Sequence, residues 1–267
     1  MTKAEILKNI LKDFKKVLVA YSGGVDSTFL LKTSIDVLGA ENVLAVIASS
    51  ETYPKSEKDS AEKLCRNLSA NFMVIETQEI NDRRFKSNPK DRCYYCKLEL
   101  FSKLKDIAKE NNIAYVIDGS NADDVKDYRP GTKAKSELGI KSPLQEAGLT
   151  KSEIRKLSKD LGLPTWDKPS YACLASRIPY GTEIEIETLD KIDKAEIFLR
   201  DLGFKQLRVR HHGKLARIEL LKEDIPKVLQ KEYMDKINKY FEALGYIFTT
   251  IDLKGYRIGS LNEVLNT

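Results

Sequence analysis

The chain has 267 residues, of which 42% are apolar and 32% charged, a balance that buries a core beneath a heavily solvated surface and excludes a disordered chain. Its formal charge of +5 is a small difference between 45 basic and 40 acidic residues, so a nucleic-acid-coating surface cannot be argued from net charge alone, and local arginines must carry any anion argument. No stretch reaches the roughly 20 consecutive apolar residues of a membrane span, and the opening MTKAEILKNILKDF lacks a signal-peptide core, so a cytoplasmic protein without membrane partners is expected.

Apolar Ile6, Ile10, Leu11 and Phe14 recur at helical spacing, and Val17 to Tyr21 reads as a buried strand. SGGVDS follows, then a helical pattern from Thr28 to Leu38 that Gly39 is placed to end. The cycle repeats: strand Val43 to Ala48, helix Ser56 to Leu68, strand Phe72 to Glu76, helix Tyr95 to Asn111, strand Tyr115 to Asp118. This alternation predicts an α/β domain built on a parallel sheet. Thr150 and Glu153 form a capping-box signature for a helix to Leu161, and from Trp166 to Gly181 the chain turns irregular. The domain boundary is expected there, giving domains 1–180 and 181–267. The second, smaller α+β domain has a predicted helix from Thr188 to Leu202, strands Gln206 to His211 and Leu215 to Leu220, helical segments to Leu244, and a strand from Tyr246 to Leu253.

SGGVDS comprises Ser22, Gly23, Gly24, Val25, Asp26 and Ser27 and sits where a strand hands over to a helix. Free backbone amides and the helix dipole favour an anion at such a point. The glycines let the backbone approach phosphate, the serines add hydroxyl donors, and Asp26 suits a Mg²⁺ ion shared with phosphate oxygens. A serine-capped glycine turn is the simpler alternative. The string fits neither GxxxxGK[ST] nor GxGxxG, which argues against γ-phosphate transfer and a dinucleotide site.

Cys93 and Cys96 form CYYC just ahead of a predicted helix, and Cys173 lies far downstream in SYACLASR. The pair alone is equally a metal-ligand or a dithiol redox motif. A third cysteine, with Arg92, Lys97 and Arg177 nearby in sequence, makes thiolate ligands of a [4Fe–4S] cluster or of zinc the readings to test, and leaves one iron of such a cluster without a protein ligand. Cys65, on the apolar face of its helix, reads as a small buried hydrophobe. Arg208 and Arg210 alternate with Leu207 and Val209, so two guanidiniums share one strand face, as either a nucleotide-phosphate contact or a solvated face. His211 and His212 read as strand-end residues.

SGGVDS resembles the PP-loop signature of the ATP pyrophosphatases, which transfer AMP to a substrate oxygen and release pyrophosphate. Together with DYRPGTKAKSELG (127–139), SYACLASRIPYG (170–181), GFKQLRVRHHGKLARIEL (203–220) and DLKGYRIGSLN (252–262), it makes the chain similar over essentially its full length to the LarE-type ATP-dependent sulfur transferases. The resemblance implies adenylation of a carboxylate of pyridinium-3,5-dicarboxylic acid mononucleotide and replacement of oxygen by sulfur, on the way to the nickel-pincer nucleotide. In one subgroup a lone cysteine at the position of Cys173 sacrifices its sulfur; in another three cysteines carry a [4Fe–4S] cluster, and CYYC aligns this chain with the second. It further implies that Arg208 and Arg210, with Glu196, hold the substrate's phosphate, and that a sulfide donor and a homo-oligomer are involved. Gly119, Asp127 and Arg129 follow a predicted strand on the sheet's carboxyl edge and are placed near the ATP or the acceptor, a turn built by Pro130 and Gly131 being the simpler alternative. The competing expectations are a tRNA-thiolating enzyme, an ammonia-dependent amidation, which leaves the cysteines without a role, and a nucleotide or iron–sulfur sensor without turnover.

Overall fold

The computed structural model describes residues 1–126, 130–169, 172–257 and 259–265. Residues Asp127 and Arg129, expected near the nucleotide, lie outside them. Contacts divide the chain into two units: Met1–Phe85 with Asp91–Tyr171, and Lys86–Lys90 with Ala172–Thr267. The division falls at 171/172 where 180 was expected, and a short segment from the first half belongs to the second unit.

In the first unit, α1 (Lys3–Phe14), β1 (Val17–Ala20), α2 (Val25–Leu38), β2 (Val43–Ser49), α3 (Lys55–Asn67), β3 (Asn71–Glu76), α4 (Arg92–Glu110) and β4 (Tyr115–Ile117) follow one another in the expected alternation. All strand pairs are parallel, in the order β3-β2-β1-β4, with Val17 opposite both Val43 and Tyr115. Successive residues of β1 serve opposite faces, as the period of two requires. Val17 and Val19 join Phe29, Leu30 and Cys65 in one apolar cluster, while Leu18 joins Val46, Phe101 and Leu104 in another. Helices therefore cover both faces, and the loops leaving β1, β2, β3 and β4 share the carboxyl edge where ligands of such sheets collect.

The capping box appears as read: Thr150 Oγ1 accepts from the Glu153 amide, and the Glu153 carboxylate accepts from the Thr150 amide, opening α5 (Lys151–Asp160). One boundary differs from expectation with consequence. Helix α4 begins at Arg92, three residues before the expected Tyr95, so Cys93 lies inside it together with Cys96, both within its first two turns.

The second unit holds α6 (Ile186–Asp201), β5 (Leu207–His212), β6 (Leu215–Leu220), α7 (Lys231–Ala243) and β7 (Phe248–Ile251). Strand β6 pairs antiparallel with β5 and parallel with β7. Leu207, Val209, Ala216, Ile218 and Leu220 pack against Ala195, Leu199 and Phe241, so one sheet face is the core of this unit. The opposite face carries Arg208, Arg210 and Glu219, and these three are buried as well. The solvated-face alternative for the two arginines is thereby set aside.

Candidate functional site

The first unit's site is the bend between β1 and α2. Gly23 has φ +66, a conformation that a side chain would strain, and a Cβ there would meet the Ala61 Cβ of α3 at 2.9 Å. Gly24 is the N-cap of α2 and supplies no side-chain cap. Among the described residues the amides of Gly24, Val25 and Asp26 make no hydrogen bond within the protein, the usual condition of a helix's first turn and the one that serves an anion. Ser22 Oγ and Ser27 Oγ lie 3.0 Å apart, so both hydroxyls converge on the bend. Val25 and Ser27 themselves are buried.

Surrounding residues brace this loop. Tyr53 donates its hydroxyl to the Ser22 carbonyl at 2.6 Å, and burial raises its pKa, so it stays a donor. Lys168 Nζ donates to the Gly23 carbonyl at 3.1 Å and pairs with Glu57 at 2.8 Å. Gly119, expected near the nucleotide, is needed for packing, because a Cβ there would sit 2.9 Å from the Ser27 amide nitrogen; only glycine lets the end of β4 approach α2 this closely.

Asp26 Oδ2 accepts from Lys151 Nζ at 2.5 Å and Asn121 Nδ2 at 3.4 Å, whereas Oδ1 is buried and has no hydrogen-bond partner among the described residues. Burial raises the Asp26 pKa, against the opposing pull of Lys151 and Asn121, and Asp124 adds to the rise. A buried carboxylate oxygen lacking a donor is an incomplete coordination, and a hard cation bridging to phosphate would complete it. The residues thus fit Mg²⁺. Lys151 and Asn121 were missed in the sequence, because Lys151 lies inside a motif read for its cap and nothing local links Asn121 to Asp26.

Cys93 is exposed and Cys96 half-buried in the first two turns of α4, three residues apart and hence on neighbouring positions of one helix face. Cys173 is exposed in the second unit, and none of the four cysteines forms a disulfide. Among the described residues no three cysteine, histidine or carboxylate side chains are gathered to hold a metal ion. What fits a cluster is the donor set: thiols kept at the surface, two of them at a helix N-terminus. Cys65 is buried as expected, and burial pushes its thiol up to about 12, leaving it inert.

In the second unit, Cys173 stands beside a buried guanidinium. Arg177 is fully buried, donates to the carbonyls of Ala172 (2.5 Å) and Cys173 (2.9 Å), and makes a two-pronged pair with Glu196 at 2.8 and 2.9 Å. Glu196 also accepts from Arg200 and from the Val209 amide. Glu196 was expected to touch substrate phosphate alongside Arg208 and Arg210, but its carboxylate is spent on these internal donors and has no exposed surface. Burial alone would raise its pKa; the charges of Arg177, Arg200 and Arg208 outweigh that and hold it below the usual carboxylate range.

Arg210 pairs with Glu219 at 2.8 Å and donates to Ser260 Oγ and the Ser176 carbonyl. The Arg208 guanidinium lies over the Tyr256 ring at 5.2 Å, and burial followed by its neighbour Arg177 lowers its pKa. Arg177, Arg200 and Arg208 thus gather around the fully buried Glu196, and Arg210 and Arg217 around the fully buried Glu219, with Asp193 and Asp252 as further counter-charges.

A family model described as NAD synthase matches residues 3–128. The chain is 42% identical over 264 residues to the pyridinium-3,5-bisthiocarboxylic acid mononucleotide synthase of Lactiplantibacillus plantarum, covering 99% of this chain and 95% of that one. It is likewise 42% identical to an uncharacterized protein of Synechocystis sp., over 99% of this chain and 98% of that one. A third relative, an uncharacterized protein of Methanocaldococcus jannaschii, is 33% identical over 94% of this chain and 96% of its own length.

Proposed function

Because the chain belongs to the LarE-type family of PP-loop ATP pyrophosphatases, we propose that it is an ATP-dependent sulfur transferase acting on pyridinium-3,5-dicarboxylic acid mononucleotide. A substrate carboxylate attacks the α-phosphorus of ATP, pyrophosphate departs, and the acyl adenylate then offers AMP as a leaving group to a sulfur nucleophile, giving a thiocarboxylate. The amides of Gly24, Val25 and Asp26, with the hydroxyls of Ser22 and Ser27, hold the diphosphate, and their fixed dipoles oppose the charge that builds on it. Asp26 Oδ1 would hold Mg²⁺, which neutralises charge on the phosphate oxygens when bound. Arg208 and Arg210 bind the substrate's phosphate, and Glu196 acts on it only through the arginines it orients. A [4Fe–4S] cluster on Cys93, Cys96 and Cys173 would supply the sulfur as sulfide, reloaded by a cytoplasmic sulfide donor, and the family resemblance suggests a homo-oligomer.

The observation that carries this reading is the bend itself: a left-handed Gly23 and three unengaged amides beside a buried Asp26 oxygen with no donor. The test is incubation of anaerobically purified protein with Mg·ATP and the dicarboxylate acceptor. AMP, pyrophosphate and thiocarboxylate in equal amounts are expected; ADP and orthophosphate, or no turnover with any acceptor, overturn the reading. Iron analysis separates the sulfur source. About four irons per chain, lost in Cys93→Ala, supports the cluster. Iron-free protein that still transfers sulfur, with Cys173 converted to dehydroalanine, refutes it.

A further inference from the structure

We infer that Lys168 is a positioning residue that locks the Gly23–Gly24 peptide of the phosphate loop, so that the Gly24 N–H faces the departing diphosphate; this rests on the function proposed above. The peptide between Gly23 and Gly24 is flanked by glycine on both sides, which makes it the loop's least hindered peptide to rotate. Its plane is rigid and trans, so the Gly23 carbonyl and the Gly24 N–H point in opposite directions. Rotated by half a turn, the same peptide would aim a carbonyl oxygen at the phosphate and repel it.

Three residues oppose that rotation, two of them, Ala61 and Glu57, carried one turn apart on α3. Ala61 of α3 stands where a Gly23 side chain would be, closing one flank. Lys168 Nζ donates to the Gly23 carbonyl at 3.1 Å. Glu57, in the first turn of α3 and itself buried, holds the same ammonium at 2.8 Å. The ammonium is thereby kept on the carbonyl side of the peptide, and Gly24 N–H is left without a partner in the protein among the described residues. A carbonyl held by a charged donor is harder to turn than one held by water.

The experiment uses the full chain with inorganic pyrophosphate and Mg²⁺ as the probe. Calorimetry reads affinity, and a ¹⁵N-glycine spectrum reads the Gly24 amide, assigned by its disappearance in Gly24→Ala, where a Cβ meets only Ser22 Oγ at 3.4 Å. Lys168→Met, which keeps the aliphatic stem, is expected to weaken pyrophosphate binding about tenfold and to shift or broaden the Gly24 resonance before ligand is added, while Lys168→Arg restores most of both. Glu57→Gln, which loosens the lysine without removing it, should move both readouts in the same direction by about threefold in affinity, and it carries the test if Lys168→Met does not fold. Pyrophosphate bound within twofold of wild type, with Gly24 unshifted, overturns the inference. Wild-type protein that fails to bind pyrophosphate sinks the functional reading instead, and an undisturbed Gly24 resonance in the unliganded variants would then sink the lock on its own.

Discussion

Asp26 and Glu196 are both carboxylates sunk into the protein beside cations, yet their titrations move in opposite directions. Asp26 meets one lysine and keeps an oxygen bare, so burial wins and its proton is held more tightly when folded. Glu196 meets three guanidiniums with its oxygens fully engaged, so the charges win. Its contribution to stability is therefore complete above the unfolded glutamate pKa of about 4.3 and is lost as pH falls further toward the folded value. Glu196→Gln should cost about 3–5 kcal/mol at neutral pH by leaving Arg177 buried without its counter-charge, and urea unfolding between pH 3 and 7 should show a flatter acid limb than wild type. Asp26 has the reverse sign: its ionised form subtracts from stability at neutral pH, and the loss is relieved as pH falls through its raised pKa. Asp26→Asn is thus expected to melt no lower than wild type while pyrophosphate release falls by about a hundredfold or more. A variant that both unfolds earlier and turns over normally would contradict each half of that expectation.

At the scale of elements, the strand–bend–helix unit depends on glycines for two different reasons. Gly23 needs its left-handed backbone and the space occupied by Ala61; Gly119 needs the closeness of β4 to the Ser27 backbone. Gly23→Ala is expected to cost about 1–2 kcal/mol from backbone conformation alone, before the contact with Ala61 is counted. Pairing it with Ala61→Gly should recover stability in thermal melts only in part, since the backbone strain remains. At α5 the reciprocal Thr150–Glu153 cap predicts a loss of about 1 kcal/mol in Thr150→Ala by denaturant titration. These caps and bends were legible in the sequence because each is decided within a few residues. The start of α4 was not: it lies three residues ahead of the expected Tyr95, and Asp91 caps it without a side-chain hydrogen bond, so Cys93 was not read as helical.

For the whole molecule, the informative residue is Asn88. It belongs to Lys86–Lys90, a segment that the chain lends to the second unit, and its φ of 55 is one that asparagine tolerates. Its side-chain amide donates to the carbonyls of Ile178, Pro179 and Thr182, and its own carbonyl accepts from Gly181. Asn88→Ala should cost about 2–4 kcal/mol in equilibrium unfolding, from two N–H donors shared among three carbonyls at about 1 kcal/mol per donor plus backbone strain. Alternation of apolar runs with glycine bends determined, by itself, the order of strands and helices, the position of the phosphate loop and the buried state of Cys65, because the forces behind them act over one or two turns of chain. Tertiary structure alone decided that Glu196 holds Arg177, that Lys151 meets Asp26, that Lys168 grips Gly23 and that residue 88 closes on 178–182. Those pairs are separated by 19 to 145 positions, and a charge or an amide buried so far along the chain finds its partner only once the core has brought them together.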